Sequence, residues 1–133
     1  DFLLNRRKEL TESYLDELQE IHEIKLPNIK PENVSTWFVF PIRVKEDIRD
    51  ILINKLLEKG VQSKAYFYPC IHLQPFYKKE FGYSETMFPV AERLSRQTLI
   101  LPLFPALKQE DIKIVKNKLL ESLNEINNEQ KRA

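Results

Sequence analysis

Glycine is scarce in this 133-residue chain: there are two, Gly60 and Gly82, far apart. Loops that cradle phosphates need clustered glycines so that the backbone can approach the anion. Isolated glycines can write neither the dinucleotide fingerprint nor the P-loop, which argues against independent nucleotide binding of those kinds. Cysteine is scarcer still. Cys70 is alone, so no internal disulfide and no cysteine-based zinc site can form, a usage compatible with the cytoplasm. The two histidines, His22 and His72, are too widely spaced in the chain to read as a metal site. Charge of one sign is lacking as well: 21 Lys+Arg stand against 20 Asp+Glu, a net charge of +1. That balance gives no electrostatic case for nucleic acid or an anionic membrane surface. No apolar run is long enough for a membrane span, and no secretory signal pattern is visible. The chain begins at Asp1 and Met87 is its one methionine, so the expectation is a natural N-terminus upstream.

What remains is enough for one domain with one core. Hydrophobic residues make up 42% of the chain, in the range of folded globular proteins. Leu10, Tyr14, Leu18 and Ile21 recur at three- and four-residue spacing and predict an amphipathic helix over about 5–22. Arg6, Arg7 and Lys8 lie near its start, where the helix dipole disfavours cations, as if the natural helix began earlier. Pro27 and Pro31 mark a connection. Aromatic and β-branched residues over 35–44 predict a strand, and Pro41 within it points to an edge or a bulge. A helix over 46–59 carries Ile48, Ile51, Leu52 and Leu56 on its buried side, with Gly60 placed for a left-handed cap. A second strand is predicted over 61–68, a loop over 69–87, a short helix from Pro89 to about Gln97, and a third strand over 98–103. The last helix, about 109–127, has Ile112, Val115, Leu119, Leu123 and Ile126 as its stripe, followed by a polar tail expected to fray. This order fits an α+β sandwich: a small, three-stranded, mainly antiparallel sheet with helices on one face.

His72 leads the candidates for chemistry, because imidazole can donate, accept or shuttle a proton near neutral pH. It follows a Tyr-Pro pair at the end of a strand, where loops tend to carry sites. The competing reading is a histidine that caps a loop carbonyl or packs against Phe76. Tyr66, Phe67, Tyr68, Phe76 and Tyr77 form an aromatic cluster able to stack on a planar ring, although such clusters are more often core or interface. Tyr68 stands out because its hydroxyl precedes the Pro69 turn. Lys64 and Arg43 could face a phosphate. Cys70 reads as a small packing group, His22 as a surface residue of the first helix, and Glu92 as an intrahelical partner of Arg96 at four-residue spacing.

Several segments together carry a resemblance. They are Gly60-Val61, the run Tyr68-Pro69-Cys70-Ile71-His72-Leu73-Gln74-Pro75, Gly82-Tyr83, Phe88-Pro89-Val90-Ala91-Glu92, and Leu101-Pro102-Leu103-Phe104-Pro105. In this order and spacing the chain resembles the C-terminal small domain of the DegT/StrS family of pyridoxal-phosphate aminotransferases, which make amino sugars on nucleotide carriers. Arg6-Arg7 and Tyr14 resemble the helix leaving that family's large domain. The resemblance implies residues 1–27 as that leading helix and 28–133 as the small domain of a fold-type I enzyme. It also implies a cytoplasmic homodimer that uses pyridoxal phosphate to move an amino group from glutamate to a nucleotide-linked keto sugar. The cofactor lysine would lie in the missing large domain, leaving no catalytic residue here and a fragment inactive alone. His72, and with it Tyr68, would line the substrate side of the cleft. The chain departs from the family pattern at Lys64, where arginine is common, at Cys70, where proline is common, and at Lys108, where a hydroxyl residue often caps the last helix. Two other readings stay open: a free-standing α+β binding module, and a family member that dehydrates sugars with the same cofactor.

Overall fold

A computed structural model of the protein describes residues 1–132. The chain runs through α1 (Phe2–Leu18), β1 (Phe40–Arg43), α2 (Glu46–Glu58), β2 (Lys64–Ala65), a single 3-10 turn (Ile71–Leu73), α3 (Pro75–Phe81), α4 (Pro89–Gln97), β3 (Thr98–Leu101) and α5 (Gln109–Arg132). The sheet order is β1-β3-β2, antiparallel throughout. Register sets Phe40 opposite Leu101 and Ile42 opposite Leu99. Because side chains alternate along a strand, these four share one face, and all four are buried. Leu10, Tyr14 and Leu18 of α1, Leu52 and Leu56 of α2, and Ile112, Leu119, Leu123 and Ile126 of α5 close over that face. Each fully buried leucine or isoleucine contributes about 1.5–3 kcal/mol. The α+β architecture is therefore as the periodicity predicts, and none of the described helices is long and apolar enough to cross a membrane.

Several boundaries differ from the sequence pattern, each for a local reason. The first helix ends at Leu18, so His22 lies in an exposed turn beyond it rather than on its surface, while Ile21 still reaches the core. The strand predicted over 35–44 shrinks to Phe40–Arg43. Trp37 has φ of 48° and its amide donates to Ser35 Oγ at 3.2 Å, a conformation outside the extended region. Pro41 sits in an edge strand, as its missing donor requires, and the outer side of that strand is partly closed by the mutual amide–carbonyl bonds of Lys25 and Arg43. The second strand likewise shrinks to Lys64–Ala65, beside which Ser63 Oγ donates to the Ile100 carbonyl at 2.8 Å.

On α2 the buried face is Ile48, Leu52 and Leu56, while Ile51 is turned outward and Arg49 inward. Arg49 fills the gap toward α4, where one guanidinium nitrogen donates to the Ser95 carbonyl at 3.0 Å. Gly60 follows with φ of 80°, the left-handed geometry in which glycine carries no Cβ penalty. The loop expected over 69–87 contains α3, begun by Pro75 and ended by Gly82 at φ of 68°. The polar tail is helical through Arg132. Lys55 of α2 pairs with Glu125 and Glu129, and Lys59 with Glu125, at 2.8–3.3 Å, which fastens the tail. At the other end of α5 the Lys108 amide donates to Asp111 Oδ2 at 2.9 Å. This is the reach-back half of a capping box and serves where a hydroxyl cap is missing.

Candidate functional site

The run after β2 crosses α4 and is tied to it. Cys70, buried, donates from Sγ to the Ala91 carbonyl at 3.2 Å, and Ser95 Oγ donates to the Phe67 carbonyl. The Tyr66–Phe67 and Tyr68–Pro69 peptide bonds are cis. Cys70 is thus a packing group, as expected. From this anchor the 3-10 turn projects His72 toward the first turn of α4, which Pro89 starts with its preset φ.

Glu92 occupies that first turn and is 5% exposed. Its Oε2 accepts the Thr86 amide at 3.0 Å, and its Oε1 accepts the Phe88 amide at 3.1 Å. The same Oε1 lies 3.1 Å from His72 Nε2. The Thr86 amide holds the Glu92 carboxyl below the usual carboxylate range, against burial, with Phe88 and His72 adding to the effect. A helix N-terminus also favours an anion there. Glu92 is therefore not the intrahelical partner of Arg96 that spacing suggests. Arg96 pairs instead with Glu46 of α2 at 2.6 Å. Sequence reasoning missed the role of Glu92; the available signal was an acidic residue one turn into a proline-started helix, next to a histidine-bearing loop.

His72 packs edge-on against Phe88, ring centroids 4.8 Å apart, and against Tyr83 at 6.3 Å. Phe76, the neighbour expected from sequence, packs on Tyr77 instead. With Tyr66, Phe67, Tyr77, Phe81 and Phe88, His72 lines a groove of about 690 Å³. The aromatic cluster is half exposed rather than core: Phe67, Phe76 and Phe81 all present surface, and Tyr66 stacks on Phe67 at 3.9 Å. Such a wall suits a flat or apolar group, with His72 as a polar point at its edge.

Tyr68 lies elsewhere. Its ring is half exposed beneath the Arg49 guanidinium, 4.4 Å from ring centroid to carbon. It lines a second depression of about 410 Å³ together with Glu92, Lys78 and Arg96. The structure thus brings His72 and Tyr68 to two neighbouring concavities rather than one, and Glu92 links them. Lys64 and Arg43 line neither of these depressions; they fall on β2 and β1. No lysine lines the aromatic groove, and Gly60 and Gly82 close helix ends rather than a phosphate cradle.

The model of the DegT/DnrJ/EryC1/StrS aminotransferase family matches residues 1–120. Among the similar curated proteins, the dTDP-4-dehydro-2,3,6-trideoxy-D-glucose 4-aminotransferase of Saccharopolyspora spinosa is 31% identical over 113 residues, which are 84% of this chain and 28% of that protein. The 3-oxo-glucose-6-phosphate:glutamate aminotransferase of Bacillus subtilis is 30% identical over 110 residues, covering 80% of this chain and 24% of that protein. Among solved structures, S. venezuelae DesV in complex with a ketimine intermediate superposes with a TM-score of 0.81 at 30% identity, covering 90% of this chain and 31% of DesV. The chain spans about a third or less of the length of the curated relatives it matches.

Proposed function

Because the chain belongs to the DegT/DnrJ/EryC1/StrS aminotransferase family, we propose that it is the small C-terminal domain of a cytoplasmic, homodimeric aminotransferase acting on a nucleotide-linked keto sugar. The observation that carries this is the family match over residues 1–120 in a chain a third the length of its relatives. In this reading residues 1–27 bring the chain in from a larger domain and 28–133 form the small domain proper. Pyridoxal phosphate, the family's cofactor, would be held by that larger domain and would supply the electron sink for amino transfer. Glutamate is proposed as amino donor, in keeping with the name of the Bacillus subtilis relative.

This chain's own contribution is positioning and exclusion of water. The aromatic groove offers a wall against which the sugar nucleotide or the larger domain can close, and closure of that kind sequesters a reaction from solvent. His72, at the groove edge, would hydrogen-bond a sugar hydroxyl. Tyr68, in the adjoining depression, would approach the same substrate from its other side once the site is assembled. By itself the chain would neither bind the cofactor stably nor transaminate.

The test is a comparison of the 133-residue chain with the whole natural protein. Each is supplied with pyridoxal phosphate, glutamate and a dTDP- or UDP-linked keto sugar. Amino-sugar formation by the whole protein, with none by the chain, is the expected result. Transamination by the chain alone, or none by the whole protein with any keto sugar nucleotide, would overturn the reading.

A further inference from the structure

We propose that Glu92 is a positioning residue that holds His72 as the Nε2–H tautomer, leaving Nδ1 as a hydrogen-bond acceptor for a hydroxyl or amino group of the bound sugar. Three observations carry it. Glu92 is buried, and its carboxylate already accepts two backbone amides, from Thr86 and Phe88. Hydrogen bonds of this kind favour the ionised carboxyl, and an ionised carboxyl only accepts. It faces Nε2 of His72 at 3.1 Å, so that nitrogen must carry the proton. In a neutral imidazole the other nitrogen is then an acceptor. A half-turn of the ring would keep its edge-on packing on Phe88 and Tyr83 but would set Cε1 in place of Nε2, so it would give up the hydrogen bond to Glu92.

The consequence is selectivity by hydrogen-bond polarity. A histidine fixed this way accepts from a ligand hydroxyl or amine and gives nothing to a lone acceptor. The part concerning the ligand rests on the placement of His72 at the substrate cleft. The part concerning Glu92 does not, and the two are separable by experiment.

Imidazole nitrogen chemical shifts of His72 in the 133-residue chain, at about pH 8 and so above the ordinary histidine range, report the tautomer directly. A ring protonated on Nε2 alone is expected. A ring protonated on Nδ1, or on both nitrogens, would overturn the proposal without need of any variant. In Glu92→Gln, which keeps the shape but introduces a donor, and in Glu92→Met, which removes all polar atoms, the single tautomer should give way to a mixture. An unchanged tautomer in Glu92→Met with an otherwise native spectrum would also overturn it. In the whole protein, Glu92→Gln should lower kcat/KM about tenfold, the scale of one misplaced hydrogen bond, and His72→Asn at least as much. Full activity of His72→Asn would remove the ligand part and the cleft placement together, while the tautomer result would still decide the role of Glu92.

Discussion

Tyr14 of α1 lies flat on Phe40 of β1, with ring centroids 4.6 Å apart and the planes 17° from parallel. The Tyr14 hydroxyl donates to the Pro102 carbonyl at 2.8 Å. One side chain thus joins the first helix, the edge strand and the turn that ends the third strand. Both rings are fully buried, and an offset stack of this kind adds about 0.5–1.5 kcal/mol beyond burial.

Tyr14→Phe keeps the stack and orphans the Pro102 carbonyl, so it should cost about 1–2 kcal/mol. Tyr14→Ala should cost about 3–5 kcal/mol through the cavity it leaves. Urea denaturation of the three proteins measures both. Equal stability of Tyr14→Phe and the native chain would mean that the carbonyl finds water instead.

Stability should decline in alkali for the same reason. Burial, followed by the charge of Asp111, pushes the Tyr14 phenol well above its ordinary value. The unfolded chain ionises this tyrosine near about pH 10, where the folded chain still holds the proton. The unfolded state therefore binds fewer protons, and unfolding becomes easier as pH rises above about 10. Tyr14→Phe should flatten that alkaline limb in a series of urea midpoints against pH.

At the acid end the sign reverses. The Thr86 amide lowers Glu92, hydrogen bonding to Lys116 lowers Glu17, and Lys59 with Lys55 lowers Glu125. Their stabilisation is present above the ordinary glutamate value of about 4.3 and is lost as pH falls below it. Glu92→Gln should make the acid limb shallower. If added salt abolished the entire acid limb, the half-buried Glu17 and Glu125 ion pairs would be its source and not the buried Glu92.

Tyr68 separates a structural from a substrate role. Its ring lies against the buried Arg49 guanidinium, an interaction worth about 1–2 kcal/mol when desolvated. Tyr68→Leu should lose that stability, whereas Tyr68→Phe should keep it. If the hydroxyl reaches substrate, Tyr68→Phe should raise KM or lower kcat in the whole protein without a shift in thermal midpoint. Native kinetics for Tyr68→Phe would leave Tyr68 as a cover for Arg49 only.

Gly60 offers a test of backbone geometry alone. Its φ is 80°, and a Cβ there would meet nothing within 4 Å. Gly60→Ala should therefore cost about 1–2 kcal/mol, the left-handed penalty without a clash. Gly60→Asn should cost less, since asparagine tolerates that region better. A denaturation midpoint for Gly60→Ala equal to the native one would count against the cap.

The sequence by itself determined every helix except α3, which lies where a loop is expected, and the core-facing stripes of the long ones. The three- and four-residue spacing of Leu10, Tyr14 and Leu18, of Ile48, Leu52 and Leu56, and of Ile112 through Ile126 states which faces must leave water, and burial follows that periodicity. Gly60 and Pro89 mark their helix ends because a left-handed cap and a preset φ are properties of single residues. Tertiary structure decided what such local rules do not encode. Strand lengths depend on pairing: where the sequence predicts longer strands, Trp37 gives its amide to Ser35 Oγ and Ser63 reaches the Ile100 carbonyl with its side-chain hydroxyl. Arg49 is buried because α4 offers it a carbonyl and Tyr68 a ring. Glu92 meets His72 rather than Arg96, since a hydrogen bond made 20 residues apart in the chain depends on how the 3-10 turn crosses α4. Separation of His72 and Tyr68 into two depressions has the same origin: neighbours in sequence share a turn, and only the packing of that turn decides which side chain enters which cavity.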